Sequence, residues 1–251
     1  MPTEENKIIQ GLWIGSELSV MEQLSISSFL LNGHDYHLYV YEDVQHIPSG
    51  TVVIDASEIL PASLIFQYKH RPSYAGFANF FRYKLLLERG GWWADTDTIC
   101  LKPFDFPAEY VFSTEINHKG REVVTSGVIK VPPKSEVMAY AWKVCQRKNP
   151  ARLAWGETGP RLMAKAVKKC GLDNYKTSHE AFCPIDYEEW RKVLAPGFEL
   201  LLTERTYAIH LWNEMWRVAG QDKNAKYHPT CLYEKLKQHY LRVASAALNA
   251  V

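Results

Sequence analysis

The sequence lacks the features that mark nucleic-acid-binding, membrane-spanning or secreted proteins. Its 29 Lys and Arg against 28 Asp and Glu leave a net charge of +1, without the basic excess expected of a nucleic-acid-binding protein. No run approaches the roughly 18 apolar residues that a membrane span needs, and the polar start MPTEENKIIQ has no signal-peptide pattern. We therefore expect a cytoplasmic protein with no nucleic-acid partner.

Cysteine is sparse and scattered. The five cysteines are Cys100, Cys145, Cys170, Cys183 and Cys231, an odd number with no two close in sequence. Disulfide frameworks and zinc sites need paired or closely spaced cysteines, so both are disfavoured. The pattern indicates reduced thiols, which fits the same cytoplasmic expectation.

Strands and helices alternate through the first hundred residues, in a chain long enough to bury a substantial core. Alternating elements of this kind predict an α/β fold, a sheet with helices on its faces. No repeat, low-complexity linker or break in composition divides the chain. We therefore expect a single domain over 1–251, ending in a helix at about 230–248. The predicted early strands are 7–15, 36–43 and 50–57, and the predicted early helices are 16–33, with Ser16 as N-cap and Asn32-Gly33 as stop, and 73–91.

The segment GGWWADTDTICLKP places Asp95 and Asp97 in an otherwise apolar stretch. If residues 92–98 are extended, side chains two positions apart share a face, and the two carboxylates point the same way. A hard divalent cation such as Mg²⁺ or Mn²⁺ would relieve their repulsion. Alternatively, each aspartate pairs with an arginine or caps a turn, and the spacing leaves both interpretations open.

Three kinds of site share the D-x-D spacing. A calcium-binding EF-hand loop needs further oxygen ligands and a glycine, but Thr98, Ile99 and Cys100 follow instead. A phosphatase with an aspartyl nucleophile needs a later acidic pair, and neither adjacent aspartates nor a Gly-Asp pair follows. The third kind is the nucleotide-sugar site of a glycosyltransferase.

The segment ANFFRYKLLLERGGWWADTDTICLKPF resembles the helix, double glycine and metal segment of the DXD-containing sugar-transferase family. That family includes capsular-polysaccharide, mannosyl- and α-1,4-type glycosyltransferases and is related to clostridial glucosylating toxins. Further blocks resemble it in the family's order over residues 7–217: KIIQGLWIG, SGVIKVPPKSEVM, ETGP and YAIHLWNEMW. The resemblance implies the GT-A fold, a Rossmann-like nucleotide-sugar-binding fold with a mixed central sheet and flanking helices.

The resemblance also implies a cofactor and catalytic residues. The cofactor is a Mn²⁺ or Mg²⁺ ion on the diphosphate of a nucleotide sugar, usually a UDP-sugar, and the transfer retains anomeric configuration. The implied metal ligands are Asp95, Asp97, His210 and Asn213, with Asp97 as the direct one. The implied catalytic residues are Asp95, Asp97, Arg82 and His210.

Donor-binding residues follow from the same blocks. Trp13 matches the tryptophan that stacks on uracil, and Trp216 matches the one that covers the donor. The implied donor-binding set is Trp13, Asn79, Arg82, Asp95, Ser126 and Trp216. Several positions depart from the family pattern: Asn79 replaces a common aspartate, Ser126 replaces an asparagine, and Asn213 and Met215 stand where the closing segment often carries serines. Asparagine still hydrogen-bonds sugar hydroxyls but carries no negative charge.

The sequence therefore predicts a metal-dependent, retaining glycosyltransferase that moves a hexose to a glycan, polysaccharide or lipid-linked acceptor. Two alternatives stay open: a protein-modifying, effector-like transferase, and a non-catalytic nucleotide-sugar-binding protein, which Asn79 makes conceivable. The basic, aromatic C-terminal helix is expected to pack on the core, with peripheral contact to an anionic membrane as the alternative. His34 and His37 have a metal-like spacing but are expected in a surface turn.

Overall fold

The computed structural model describes residues 1–248, with side chains through Leu241. Within these residues the chain forms eight strands and six α-helices, joined by turns and short 3₁₀ segments. The strands are β1 Ile8–Leu12, β2 Asp35–Val40, β3 Val52–Asp55, β4 Gly91–Ala94, β5 Thr98–Cys100, β6 Val111–Ile116, β7 Glu122–Val131 and β8 Ala208–His210. The helices are α1 Val20–Leu31, α2 Ala75–Arg89, α3 Glu136–Cys145, α4 Pro160–Lys169, α5 Asn213–Ala219 and α6 Leu232–Leu248.

Six strands form one mixed sheet in the order β3-β2-β1-β4-β7-β6. Strands β1 to β4 are mutually parallel, whereas β7 runs antiparallel to both β4 and β6. The expected α/β fold with a mixed central sheet is confirmed. Strand β2, which follows β1 in the chain, pairs with one edge of β1, and β4 pairs with the other edge. Open α/β sheets bind ligands at such a switch point, outside the carboxyl ends of the strands.

Residues 92–98 are not extended throughout, contrary to the condition under which the two carboxylates would share a face. Strand β4 ends at Ala94, and the Thr98 N–H donates to the Asp95 carbonyl oxygen at 2.9 Å, which closes a turn over Asp95–Thr98. The chain then leaves the main sheet, because β5 pairs with β8 in a separate two-stranded ladder. Because β5 pairs with β8 and not with the main sheet, Asp95 and Asp97 lie outside that sheet, at its carboxyl edge.

The sheet separates two apolar clusters. Trp92 lies in the cluster under α1 and α6, and its neighbour Trp93 lies in the cluster under α2, α3 and α4. Successive side chains of a strand point to opposite faces, so two adjacent tryptophans fill both layers. Strand β4 is therefore buried on both sides, which fixes the position of the turn that follows it.

Helix α1 begins later than expected. Its N-cap is Ser19, which forms a capping box with Glu22, so the expected cap at Ser16 is wrong. Only Ser19 has a glutamate three residues later, and that spacing lets the two residues satisfy each other's backbone N–H groups. The expected stop is confirmed, since Asn32 caps the helix and Gly33 follows at φ +83°.

Helix α6 packs on α1 through its first turns. Tyr233, Leu236 and Tyr240 are buried in the same cluster as Phe29 of α1. Packing on the core is thus the arrangement that the structure shows, and the alternative of membrane contact gains no support from it. Across residues 1–248, no helix is long and apolar enough to span a bilayer.

Candidate active site

The carboxyl edge of the sheet gathers most of the predicted site residues. Trp13 directly follows β1 and Asp95 directly follows β4, and these two parallel strands are neighbours. The Asp95 N–H donates to the Gly127 carbonyl oxygen of β7 at 2.8 Å. Ser126 and Gly127 therefore border Asp95, although they lie more than thirty positions along the chain.

Asp95 is held by two donors on the same oxygen. Arg82 of α2 places its guanidinium 2.8 Å from Asp95 Oδ1, and Trp93 Nε1–H donates to that atom, also at 2.8 Å. The guanidinium lies 4.8 Å from the centre of the Trp93 ring and also donates to the Ser126 carbonyl oxygen. Because Oδ1 takes both donors, Oδ2 faces the open side, where a Cβ at Gly127 would lie 3.4 Å away.

Asp97 is fixed by a different pair of contacts. Its Oδ1 lies 3.1 Å from His210 Nε2, and its Oδ2 accepts the Asn213 N–H at 2.7 Å. Pairing of β5 with β8 sets Thr98 opposite His210, so it is this ladder that carries the histidine to the aspartate. Asp97 and His210 are both largely buried.

Trp212 shapes the turn between β8 and α5. Its backbone is left-handed at φ +59° and ψ +52°, a conformation that costs a non-glycine residue free energy. The indole N–H donates to the Ile185 carbonyl oxygen at 2.8 Å, and the ring lies edge-on to His210 with centroids 4.1 Å apart. This turn directs the Asn213 N–H at Asp97, and the local strain is therefore placed at the site.

The three titratable groups have shifted pKa values. Burial raises the pKa of Asp95, opposed by the Arg82 guanidinium and assisted by the Asp97 carboxylate. Burial also acts to raise the pKa of Asp97, but the His210 charge and the hydrogen bonds from His210 and Asn213 outweigh it and lower the pKa. For His210, burial opposes protonation, yet the adjacent Asp97 carboxylate raises its pKa well above the ordinary value. These directions favour an ionised Asp97 beside a protonated His210, and a metal ion bound at His210 would take the place of the proton.

The cluster suits a hard divalent cation. One ligand atom from each of Asp95, Asp97 and His210 lies within 4.8 Å of the others. Two carboxylates and an imidazole nitrogen are ligands that Mn²⁺ accepts, and carboxylate oxygens also suit Mg²⁺. The space beside them stays open because residue 127 is glycine, whose missing Cβ would come 3.7 Å from His210 Cε1.

Asn79 and Trp13 flank this cluster. Asn79 is buried on α2 and accepts a hydrogen bond from Ser126 Oγ at 3.4 Å. Gly159 lies against it, since a Cβ there would come within 3.2 Å of Asn79 Nδ2. Trp13 is half-buried, its Nε1 is buried without a hydrogen-bond partner, and the Lys223 ammonium lies 5.6 Å from its ring centre.

Two families match consecutive parts of the chain. The family described as "Glycosyltransferase sugar-binding region containing DXD motif" matches residues 19–115, and "Alpha 1,4-glycosyltransferase conserved region" matches residues 148–247. The first match contains Asp95 and Asp97, and the second contains His210. The chain belongs to the DXD-containing glycosyltransferase family. The strand order around the site and this membership confirm the expected GT-A fold.

Known glycosyltransferases are similar in sequence to part of this chain. Lactosylceramide 4-alpha-galactosyltransferase of Mus musculus is 29% identical over 150 residues, which are 53% of this chain and 39% of the relative. Alpha-1,4-N-acetylglucosaminyltransferase of Homo sapiens is 25% identical over 153 residues, 53% of this chain and 41% of the relative. The match thus spans about two fifths of these relatives. A solved structure, "PaToxG Glycosyltransferase", aligns with a TM-score of 0.48 and 19% identity over 67% of this chain and 72% of that one.

The glycosyltransferase site does not include every predicted residue. Trp216 is fully buried, where its Nε1–H donates to the Leu211 carbonyl oxygen and its ring packs on Trp190 and Tyr233. The structure therefore places it in the core instead of over the donor site. Asn213 contacts the cluster through its backbone N–H to Asp97. Its role as a metal ligand stays a prediction.

Two residues of the glycosyltransferase site were missed in the sequence. In the sequence Trp93 is one more residue of an apolar run, yet its indole N–H donates to Asp95. Its signal was available, because residues two apart at the end of a strand share a face. Trp212 lies beside His210, whereas the sequence comparison pointed to Trp216 in the same HLWNEMW block. Nothing local distinguishes the two tryptophans, since the left-handed turn at Trp212 decides which one faces the histidine.

Proposed function

We propose that this chain transfers a hexose from a UDP-sugar to a hydroxyl group of a glycan or lipid-linked acceptor, with a divalent cation on the diphosphate and retention of configuration. The observation that carries the proposal is the buried cluster of Asp95, Asp97 and His210 at the switch point of the sheet, in a member of a glycosyltransferase family. A cytoplasmic location and a polysaccharide product remain predictions from the sequence.

The chain's own residues would divide the work of donor binding. A Mn²⁺ or Mg²⁺ ion held by Asp95, Asp97 and His210 would act as a Lewis acid toward the departing diphosphate. Arg82 keeps Asp95 in place and adds a fixed positive charge. Trp13 offers a ring for the base, and Asn79 offers a donor and an acceptor for sugar hydroxyls.

Retention is proposed to follow from attack on the face that the diphosphate leaves. The anomeric carbon–oxygen bond breaks with its electron pair going to UDP, and the acceptor oxygen forms the new bond. The acceptor's proton passes to the departing diphosphate. The mouse relative is a 4-alpha-galactosyltransferase and the human one an alpha-1,4-N-acetylglucosaminyltransferase, which supports an alpha-linked product. UDP-galactose and UDP-N-acetylglucosamine are themselves α-linked, so an α product means retention.

A carboxylate nucleophile is the competing route to retention. Glu157 is bound by Lys148 at 2.5 Å and by the Ala154 N–H at 3.1 Å, so its charge is already engaged. Burial raises the pKa of Glu115 and favours the neutral acid, which is a poor nucleophile. Mass spectrometry that detects a covalent sugar on either glutamate would replace the same-face proposal with double displacement.

The test is UDP release from purified protein with UDP-galactose, UDP-N-acetylglucosamine or UDP-glucose, with Mn²⁺ and with EDTA. Asp97→Asn should lower the rate by about 100-fold or more, because it removes an anionic ligand of the metal ion that would stabilise charge on the departing diphosphate. Asp173→Asn is the matched control, since Asp173 pairs with Lys176 on the surface. UDP plus Mn²⁺ should also raise the melting temperature of wild type, because ligands that bind only the folded state stabilise it.

Equal and very slow UDP release by wild type and Asp97→Asn would contradict the enzyme proposal. If UDP plus Mn²⁺ still raised the melting temperature of wild type, the alternative of a non-catalytic nucleotide-sugar-binding protein would be supported. That alternative draws on Asn79, which stands where the family commonly has aspartate.

A further inference from the structure

A second cleft lies beside the candidate active site. Its volume is about 610 Å³. One wall is the segment before α2, with Tyr68 and Arg71, and the other is the segment before α4, with Arg152 and Trp155. The donor-binding and metal-binding roles proposed above use none of these residues.

The cleft is joined to the active site on two sides. On one side, the turn before α4 bonds α2, since Tyr83 Oη donates to the Thr158 carbonyl oxygen at 2.8 Å, and Gly159 lies against Asn79. On the other side, Arg71 forms an ion pair at 3.4 Å with Glu214 of α5. Helix α5 begins at Asn213, whose N–H binds Asp97. A molecule in the cleft would therefore border the donor site.

The cleft contains an exposed aromatic platform. Trp155 is 41% exposed, whereas Trp92, Trp93, Trp190 and Trp216 are all buried. Its ring lies 5.0 Å from that of Tyr68, and the Arg71 guanidinium sits 4.2 Å from its ring centre. A rigid, partly open indole offers apolar area at low entropic cost, and that suits the face of a pyranose ring.

The polar lining of the cleft is one-sided. Lys69, His70, Arg71 and Arg152 supply hydrogen-bond donors, and no Asp, Glu, Asn or Gln lines the cleft. Among residues 1–248, only Arg71 of these four has a carboxylate partner within salt-bridge distance. Basic side chains, three of them with no carboxylate partner in the described residues, suit a ligand with acceptor-only oxygens, and arginine favours carboxylate and phosphate.

We infer that this cleft is the acceptor subsite and that it takes a glycan end bearing an anionic group, either a uronate carboxylate or a phosphate. The sugar ring stacks on Trp155, and the anionic group lies against Arg152 and Lys69. This inference rests on the proposed function, because an acceptor subsite requires that the chain transfer a sugar to an acceptor.

The experiment measures two Michaelis constants on the same protein. UDP release without acceptor gives the donor KM, and transfer to added sugars gives the acceptor KM. The acceptor probes are methyl β-glucuronide, glucose 6-phosphate and neutral methyl β-galactoside. The two anionic probes separate carboxylate from phosphate as the recognised group, and the neutral probe should be a poor acceptor.

Variants at the cleft locate the effect. Trp155→Ala and Arg152→Gln should each raise the KM for the preferred anionic probe by about tenfold, the equivalent of one lost stacking or charge-assisted contact. The donor KM should change less than about twofold, as expected for a subsite that does not touch the donor. Trp155→Phe should restore most of the acceptor affinity. Arg147→Gln, an exposed arginine outside the cleft, is the matched control.

Three results would overturn the inference, and they differ in what they leave standing. If wild type releases UDP but Trp155→Ala and Arg152→Gln leave the acceptor KM unchanged, the subsite is wrong and the proposed function stands. The inference also fails, and the proposed function stands, if the neutral probe has the same acceptor KM as the anionic probes. If wild type releases no UDP with any donor, the proposed function fails and the subsite fails with it.

Discussion

At the scale of single residues, the two aspartates of the D-x-D segment have different neighbours although they lie two positions apart. Asp95 is held by Arg82 and Trp93 through one carboxylate oxygen, and Asp97 is held by His210 and Asn213 through both. The first is fixed by α2 and β4, the second by the turn into α5. Substitutions at the two positions should therefore have separable effects.

Arg82 gives the first prediction at this scale. Arg82→Lys should lower the turnover number by about 100-fold, because a single ammonium cannot bridge Asp95 and the Ser126 carbonyl oxygen as the guanidinium does. UDP release under saturating donor measures the effect. Arg89→Lys is the control, since Arg89 pairs with Glu58 on the surface and should keep the wild-type rate. Equal rates for both variants would contradict the role of the bridge.

His34 shows a residue whose environment the sequence did not reveal. The expected surface turn is wrong, because the imidazole is buried between the rings of Phe29 and Phe104. Nε2 accepts the Phe104 N–H at 2.9 Å, and Nδ1 lies 3.0 Å from the Asn6 carbonyl oxygen as its donor. Both nitrogens are engaged, so the spacing to His37 produces no metal site.

The second prediction is a pH dependence of stability. Burial lowers the pKa of His34 below its ordinary value, and the unfolded chain therefore binds the proton first as pH falls. The stabilisation is present above the unfolded pKa of 6.5 and is lost as pH drops through 6.5 toward the lower folded value. The urea midpoint should fall from pH 7.5 to 5.5. His34→Asn should reduce this difference, and an unchanged difference would exclude His34 as its source.

At the scale of elements, the junction of α2 and β4 determines where the D-x-D turn lies relative to the sheet. Gly90 ends α2 at φ +63° and ψ −157°, a region that only glycine adopts without strain. A Cβ there would lie 2.4 Å from the Pro133 backbone nitrogen. Because Gly90 and Pro133 approach so closely, the chain passes directly from α2, which contains Arg82, into β4. Trp93 of β4 then donates its indole N–H to Asp95.

The third prediction compares two glycines that have nearly the same positive φ. Gly90→Ala should lower the free energy of unfolding by about 3 kcal/mol or more, because strain and a backbone clash add. Gly120→Ala should cost only about 1 kcal/mol, since Gly120 has φ +65° but nothing within 4 Å of its Cβ position. Urea denaturation of both variants measures the difference. Equal losses would mean that contact with Pro133 is unimportant.

At the scale of the whole molecule, both apolar clusters depend on the same sheet. Trp92 and Trp93 are consecutive residues of β4 and belong to different clusters, so neither layer can separate from the sheet without exposing a tryptophan. The single domain over 1–251 stays a prediction. It implies that the two layers unfold together.

The fourth prediction tests this cooperativity. Phe104 is fully buried against Phe29, Trp92 and Phe182, and Phe104→Ala should lower the free energy of unfolding by about 3 to 5 kcal/mol. Circular dichroism and tryptophan fluorescence should report the same midpoint before and after the change. Val53→Ala, at an exposed position, is the control. Two separated transitions would divide the chain into independent units.

Local sequence determined the elements and half of the site. Alternating strands and helices predicted the α/β sheet, Asn32-Gly33 and Gly90-Gly91 marked helix ends, and the D-x-D segment located the carboxylates. These features depend on backbone preferences and on residues a few positions apart, which a single sequence displays. Ser16 is not the cap because Ser19, and not Ser16, has a glutamate three positions later with which to form a capping box.

Only the tertiary structure decided which distant residues complete the site. His210 reaches Asp97 across 113 positions because β5 leaves the main sheet and pairs with β8. The turn over Asp95–Thr98 and the left-handed Trp212 depend on that pairing, and so does the choice of Trp212 over Trp216. Arg71 meets Glu214 in the same way. Such contacts arise from the packing of whole elements, and no local preference along the chain encodes them.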